Sequence, residues 1–213
     1  MALAEIDISV SISPNKGYAG DSYTLTASWD SGAIGYFNGQ IIWGDGSSES
    51  ISRHPYKNIS RTHVYSSPGN FSPSITISDE STAASGTGST SVEVRSKLSV
   101  SLSSDKTAGK IPLTVEFTGS YTGGYPDYTI QLNYGDGTSD TWHLVAPATI
   151  TSDHTYNVGG TYTVKLTVTD ALGLSKTAQS TIKAGELIIQ NIIQILLPTI
   201  AGLTLMKLSR IKK

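Results

Sequence analysis

One pattern occurs twice in this chain, 91 residues apart, and it constrains the fold more than any other feature. Trp43-Gly44-Asp45-Gly46 returns as Tyr134-Gly135-Asp136-Gly137, and His63-Val64-Tyr65 returns as His154-Thr155-Tyr156. Phe71, Ile75, Ile77 and Asp79 return as Tyr162, Leu166, Val168 and Asp170. Upstream the offset is 90: Ile8, Val10 and Ile12 match Leu98, Val100 and Leu102, and Leu25 matches Val115. One single-residue length difference therefore covers almost the whole unit. A repeat of this kind sets the architecture before any site is considered. The 213 residues accommodate two copies of one module, at about 1–95 and 96–184, followed by a distinct segment, 185–213.

The modules read as strands. Ile6, Ile8, Val10 and Ile12 alternate with polar residues, and so do Tyr162, Val164, Leu166 and Val168, the period of a half-buried strand. Turn signals such as Pro14-Asn15-Lys16-Gly17, Pro68-Gly69-Asn70 and Val158-Gly159-Gly160 separate the runs at the spacing of an all-β sandwich. No helical pattern appears before residue 186. Charged residues are only 15% of the chain, below the usual quarter, which suits short strands and turns.

The repeated elements resemble the polycystic kidney disease (PKD) domain family, whose fold is an immunoglobulin-like β-sandwich. The first copy shows Trp43-Gly44-Asp45-Gly46, His63-Val64-Tyr65, Pro68-Gly69-Asn70-Phe71 and Ile75-Thr76-Ile77-Ser78-Asp79. The second shows Tyr134-Gly135-Asp136-Gly137, His154-Thr155-Tyr156, Gly159-Gly160-Thr161-Tyr162 and Leu166-Thr167-Val168-Thr169-Asp170, with Gly159 where proline is usual. The resemblance covers about residues 6–184. It implies that His63 and His154 sit beside the Gly-Asp-Gly turn as structural residues. The physics agrees: the glycines supply positive φ, Asp bonds its own turn, and the preceding aromatic ring plugs the core.

Candidate sites are few. Asp45 with Asp79, and Asp136 with Asp170, are candidates for calcium, because some PKD-like modules bind it. Turn and hydrogen-bonding roles are the preferred reading, since no loop carries the alternating carboxylates of a dedicated calcium loop. The absence of cysteine removes disulfides and thiolate metal sites, and none of the four histidines forms a zinc-type pair. No nucleophile elbow, phosphate loop or dinucleotide fingerprint is present, so a non-enzymatic role is expected. Asn58-Ile59-Ser60 and Asn70-Phe71-Ser72 are N-glycosylation sequons.

The tail changes the question. Leu187 to Met206 is uncharged and, as a helix of 20 residues, would span about 30 Å. Lys207, Arg210, Lys212 and Lys213 follow at once, as at the interior end of a membrane span, so the modules would face outwards. Their departure leaves 11 basic against 17 acidic residues upstream, and no basic stripe for nucleic acid. Gln190, Asn191, Gln194, Ala201 and Gly202 fall on one helical face, which predicts self-association through this segment. The start, Met1-Ala2-Leu3-Ala4-Glu5-Ile6, has no secretory pattern.

The expectation is an all-β chain: two tandem immunoglobulin-like, PKD-type sandwiches followed by one C-terminal hydrophobic helix. The expected role is a surface-displayed structural or adhesive protein, membrane-anchored, homo-oligomeric and without a cofactor other than calcium. A spike or turret of a membrane-containing virion, contacting other capsid or envelope proteins and a host receptor or glycan, heads the readings. A cellular envelope or surface-layer stalk, or a carbohydrate-binding accessory module of a secreted hydrolase, is the alternative.

Overall fold

Alternation of apolar and polar residues commits each strand to one buried face, and two such faces per module close on each other. The computed structural model describes residues 5–30 and 35–185. They form two units that divide between Lys97 and Leu98, each with its own core. No helix occurs among the described residues, so none there is long and apolar enough to cross a membrane. The predicted tail helix and its face of Gln190, Asn191, Gln194, Ala201 and Gly202 lie outside the described residues.

Module 1 runs β1 (Asp7–Ser13), β2 (Lys16–Tyr18), β3 (Ser22–Asp30), β4 (Phe37–Ile42), β5 (Ser48–His54), β6 (Asn58–Val64), β7 (Gly69–Phe71), β8 (Ser74–Asp79), β9 (Ser85–Ser89) and β10 (Val92–Arg95). One sheet has the order β1-β3-β6. Facing it are β5-β4-β8-β9 and, continuing the same strands, β2-β10-β7. Module 2 runs β11 (Ser99–Ser104), β12 (Ala108–Gly109), β13 (Leu113–Thr122), β14 (Tyr128–Asn133), β15 (Ser139–Leu144), β16 (Thr149–Tyr156), β17 (Gly160–Thr169) and β18 (Ser175–Ala184). Its sheets are β11-β13-β16 and β12-β18-β17-β14-β15. The order is that of module 1, with β17 replacing β7 plus β8 and β18 replacing β9 plus β10. Pro73 accounts for the break in the first copy: it has no amide to give the ladder, and its carbonyl is instead bonded by the Thr90 amide at 3.0 Å.

Register carries the repeat into three dimensions. Ile41 pairs with Ile75 as Leu132 pairs with Leu166, and all four are buried. Tyr23, Leu25, Ile41, Tyr65, Ile75 and Ile77 are wholly buried in the first core. Val115, Ile130, Val164, Leu166, Val168 and Ile182 are wholly buried in the second. Past Asp79 and Asp170 the offset returns to 90, because the first copy has one extra residue in its last turn. There Ala83 donates to the Asp79 carbonyl four residues back, whereas Gly173 donates to the Asp170 carbonyl three back.

Candidate functional site

The turn after β4, and its copy after β14, builds a polar constellation whose hydrogen bonds the two modules share one for one. Asp45 Oδ1 accepts from the Ser47 amide at 3.0 Å and the Ser47 hydroxyl at 2.5 Å, which closes the turn. Its other oxygen, Oδ2, accepts from His63 Nε2 at 2.7 Å. In the copy, Asp136 Oδ1 accepts from the Thr138 amide (3.0 Å) and hydroxyl (2.6 Å), and Oδ2 from His154 Nε2 at 2.7 Å. Gly44, at φ 85°, and Gly135, at φ 84°, allow the chain to bend into this position.

Aromatic rings continue the arrangement inward. His63 stacks on Trp43 with centroids 4.6 Å apart, and His154 stacks on Tyr134 at 4.0 Å. Tyr65 and Tyr156 meet those imidazoles edge-on and donate their hydroxyls to the carbonyls of Trp43 and Tyr134, each at 2.9 Å. Phe71 and Tyr162 then stack on Tyr65 and Tyr156 at 4.3 and 4.4 Å. Each module thus has a clasp running from a surface turn, through histidine, to two core rings.

The electrostatics follow from those contacts. Burial pushes the Asp45 carboxyl up, but the Ser47 hydroxyl, His63 and the Ser47 amide outweigh it and hold the group at about 2. Burial likewise opposes, and Thr138 and His154 outweigh it, at Asp136, also about 2. Burial and the Asp45 charge raise Tyr65 to about 12, and burial with the Asp136 charge raises Tyr156 still further. Both phenols therefore stay neutral and keep the proton they donate. Both carboxylate oxygens of the clasp are engaged by its own donors.

The candidate calcium pairs are not brought together. Asp79 pairs with Phe37 at the start of β4, whereas Asp45 lies beyond its last residue, Ile42. Five strand steps, about 17 Å, separate the two ends. Asp170, next to Thr169, which pairs with Thr129, stands in the same relation to Asp136. Each carboxylate instead closes its own turn. Asp79 Oδ1 accepts from the Ser81 amide and hydroxyl and the Thr82 amide. Asp170 accepts from the amides of Leu172, Leu174 and, through Oδ2, Tyr125. The Ser81 hydroxyl bond, against the opposing effect of burial, holds the Asp79 carboxyl below its ordinary value. No group of three or more His, Cys, Asp or Glu side chains gathers among the described residues.

Sequence reasoning missed one polar cluster and one surface. Tyr134 donates to Asp140 Oδ2 at 2.6 Å, with Ser152 bonded to both. Module 1 has Trp43, Glu49 and Arg61 at these places, and Arg61 pairs with Glu49 at 2.6 Å. The outer face of β14 and β17 carries a polar trough of about 450 Å³ lined by Gln131, Asn133, Thr161, Thr163, Lys165 and Thr167. Its lining has amides, hydroxyls and one amine but no carboxylate or imidazole. Strand alternation alone could have marked these side chains as outward-facing.

Comparison with known proteins fits this geometry. The family model for the PKD domain matches residues 100–184, from β11 to the end of β18. The second module is the part of the chain that this family model matches. The first repeats its strand order, its aromatic-Gly-Asp-Gly turn and its His-x-Tyr clasp. Among solved structures, the PKD domain of an M14-like peptidase from Thermoplasmatales archaeon SCGC AB-540-F20 is 21% identical. That match covers 42% of this chain and 94% of that one, with a TM-score of 0.37. The titin I-band fragment I67–I69 is 13% identical over 86% of this chain and 66% of its own, with a TM-score of 0.55. That likeness is one of fold: both are built of immunoglobulin-like sandwiches. A search of curated proteins finds no match.

Proposed function

We propose that this chain is a non-enzymatic, surface-displayed structural or adhesive protein, held in a membrane by its C-terminal apolar segment and assembled as an oligomer. The observation that carries the reading is the duplicated clasp. The most elaborate polar constellation of each module closes that module's own turn, and its carboxylate, imidazole and phenol all bond one another or the backbone. PKD and immunoglobulin-like sandwiches fit display outside a cell. The uncharged run Leu187 to Met206 with its basic end supplies the anchor, and the amide-and-small face of that run supplies the contact between copies.

Within that class the chain acts as a spike or turret component of a membrane-containing virion. Its partners are the membrane, further copies of itself, other capsid or envelope proteins, and a receptor or glycan on the host. Nucleic acid has no basic stripe to meet in the sequence of the modules. The test compares the mass of the full chain in mild detergent with that of a chain ending at Gly185. A defined oligomer that becomes a monomer on truncation supports assembly through the tail. Monomers in both cases would overturn the spike reading and leave a single-copy surface stalk.

A further inference from the structure

Module 1 carries, at the turn between β5 and β6, a set of side chains with no counterpart in module 2. Tyr56 is 65% exposed, the most exposed aromatic ring among the described residues. Its ring lies edge-on to His54 with centroids 5.7 Å apart, and His54 Nε2 donates to the Asn58 carbonyl at 2.7 Å. The Trp29 amide donates to the Lys57 carbonyl at 3.0 Å. These bonds hold the chain in a tight reversal that delivers Asn58, exposed, as the first residue of β6. β6 is the outer strand of its sheet, so one flank of Asn58 is open. Ile59 is buried and anchors the segment, and Ser60 is exposed. The matching positions in module 2 are Pro147, Thr149, Ile150 and Thr151: the ring and the asparagine are absent together.

The second sequon has a different setting. Asn70 lies within β7, opposite Glu93 of β10. Phe71 is stacked on Tyr65, while Asn70, like Asn58, is exposed on an outer strand and Ser72 is exposed beside it. What Asn70 lacks is the ring: Pro68, not an aromatic residue, stands two places before it.

We propose that Asn58 is an N-glycan acceptor, that Tyr56 is the platform on which its first sugar rests, and that Asn70, without such a ring before it, is the lesser site. The proposal rests on the surface reading, since the acceptor must reach the outer side of a membrane. In the transfer, Asn58 Nδ2 bonds to the anomeric carbon of a polyprenyl phosphate- or pyrophosphate-linked sugar. The anomeric C–O bond breaks, the lipid phosphate leaves, and the Nδ2 proton passes to a base of the transferase. The C–H face of a sugar ring is apolar and slightly positive, and the face of a tyrosine ring is negative, so the two stack. A bulky, hydrated glycan at the head of an outer strand also blocks that strand from pairing with another chain.

The test carries the full chain through a eukaryotic secretory pathway behind a cleaved leader. The displayed protein is treated with peptide N-glycosidase in heavy-oxygen water, and the peptides are weighed. Asn58 is expected to be occupied in most molecules and Asn70 in severalfold fewer. Ser60→Ala should abolish the modification, and Tyr56→Ala should lower occupancy at Asn58 severalfold. Bare Asn58 in displayed, cooperatively folding protein would overturn the proposal, as would equal occupancy at Asn70. Unchanged occupancy in Tyr56→Ala would overturn the platform. Surface labelling of the protein in its own host separates this from the broader reading: an inward-facing chain would sink display while leaving the acceptor result standing.

Discussion

The two modules share a clasp and differ in how they fill the core away from it, toward the other end of the strands. At one position of the third strand, module 1 has Trp29 and module 2 has Gly119. Trp29 is buried, edge-on to Phe37 at 5.4 Å, and its Nε1 has no partner among the described residues. At Gly119 a Cβ would stand 2.5 Å from Leu166 Cδ2, because Leu166 and Ile150 already occupy the room. The difference teaches that the clasp fixes the fold while the core away from it is free to be repacked, provided each copy fills its own volume.

The largest way to break the comparison is to exchange these solutions. Trp29→Ala should cost module 1 about 3–5 kcal/mol through the cavity it leaves. Gly119→Ala should cost module 2 about 1–3 kcal/mol by overpacking against Leu166. Urea unfolding of the two variants measures both, and a neutral Gly119→Ala would mean that Leu166 yields freely.

Next in size is the last turn of each module. Gly173 sits at φ 84° with nothing within 4 Å of an added Cβ, so Gly173→Ala isolates the backbone cost, about 1–2 kcal/mol. The longer turn of module 1 puts Ala83 at φ 56°, and Ala83→Gly should instead stabilise, by about 1 kcal/mol or less. Thermal melts of the pair should move in opposite directions.

The remaining contrast is at the edge. Arg61→Ala removes the pair with Glu49, both side chains 40% exposed, and should cost no more than about 1 kcal/mol. Tyr134→Phe strips the matching cluster of module 2 and leaves Asp140 and Ser152 to each other, at about 1–2 kcal/mol. Equal losses would remove the distinction between the two clusters.

Much of this was legible in the sequence. The turn, the His-x-Tyr and the alternating runs pointed to the sandwich, and Trp43 and Tyr134 do plug the cores. The relation of Asp45 to Asp79 was not legible. Residues far apart along the chain meet or separate according to strand register, and only the pairing of Phe37 with Asp79 shows that β4 lies between them. The break at Pro73 and the extra residue before Ala84 were hidden for a similar reason: each is a local irregularity inside a ladder that both modules share. The exchange of Glu49 and Arg61 for Asp140 and Ser152 was hidden because cross-strand partners are invisible until the sheet is built.

The most direct measurement takes Asp45→Asn and Asp136→Asn through acid unfolding of the full chain. Each carboxyl is held at about 2 in the folded state, below its ordinary 3.8. A depressed folded value gives stability that is present above pH 4 and is lost as pH falls from about 4 to about 2, roughly 1–2 kcal/mol per module after solvent screening. If each module is closed by its own clasp, the native chain loses stability through that window. Either substitution made alone should then shrink the acid response of one unfolding transition and leave the other unchanged. Native-like acid sensitivity in both single variants, or a response that vanishes from both transitions at once, would contradict it.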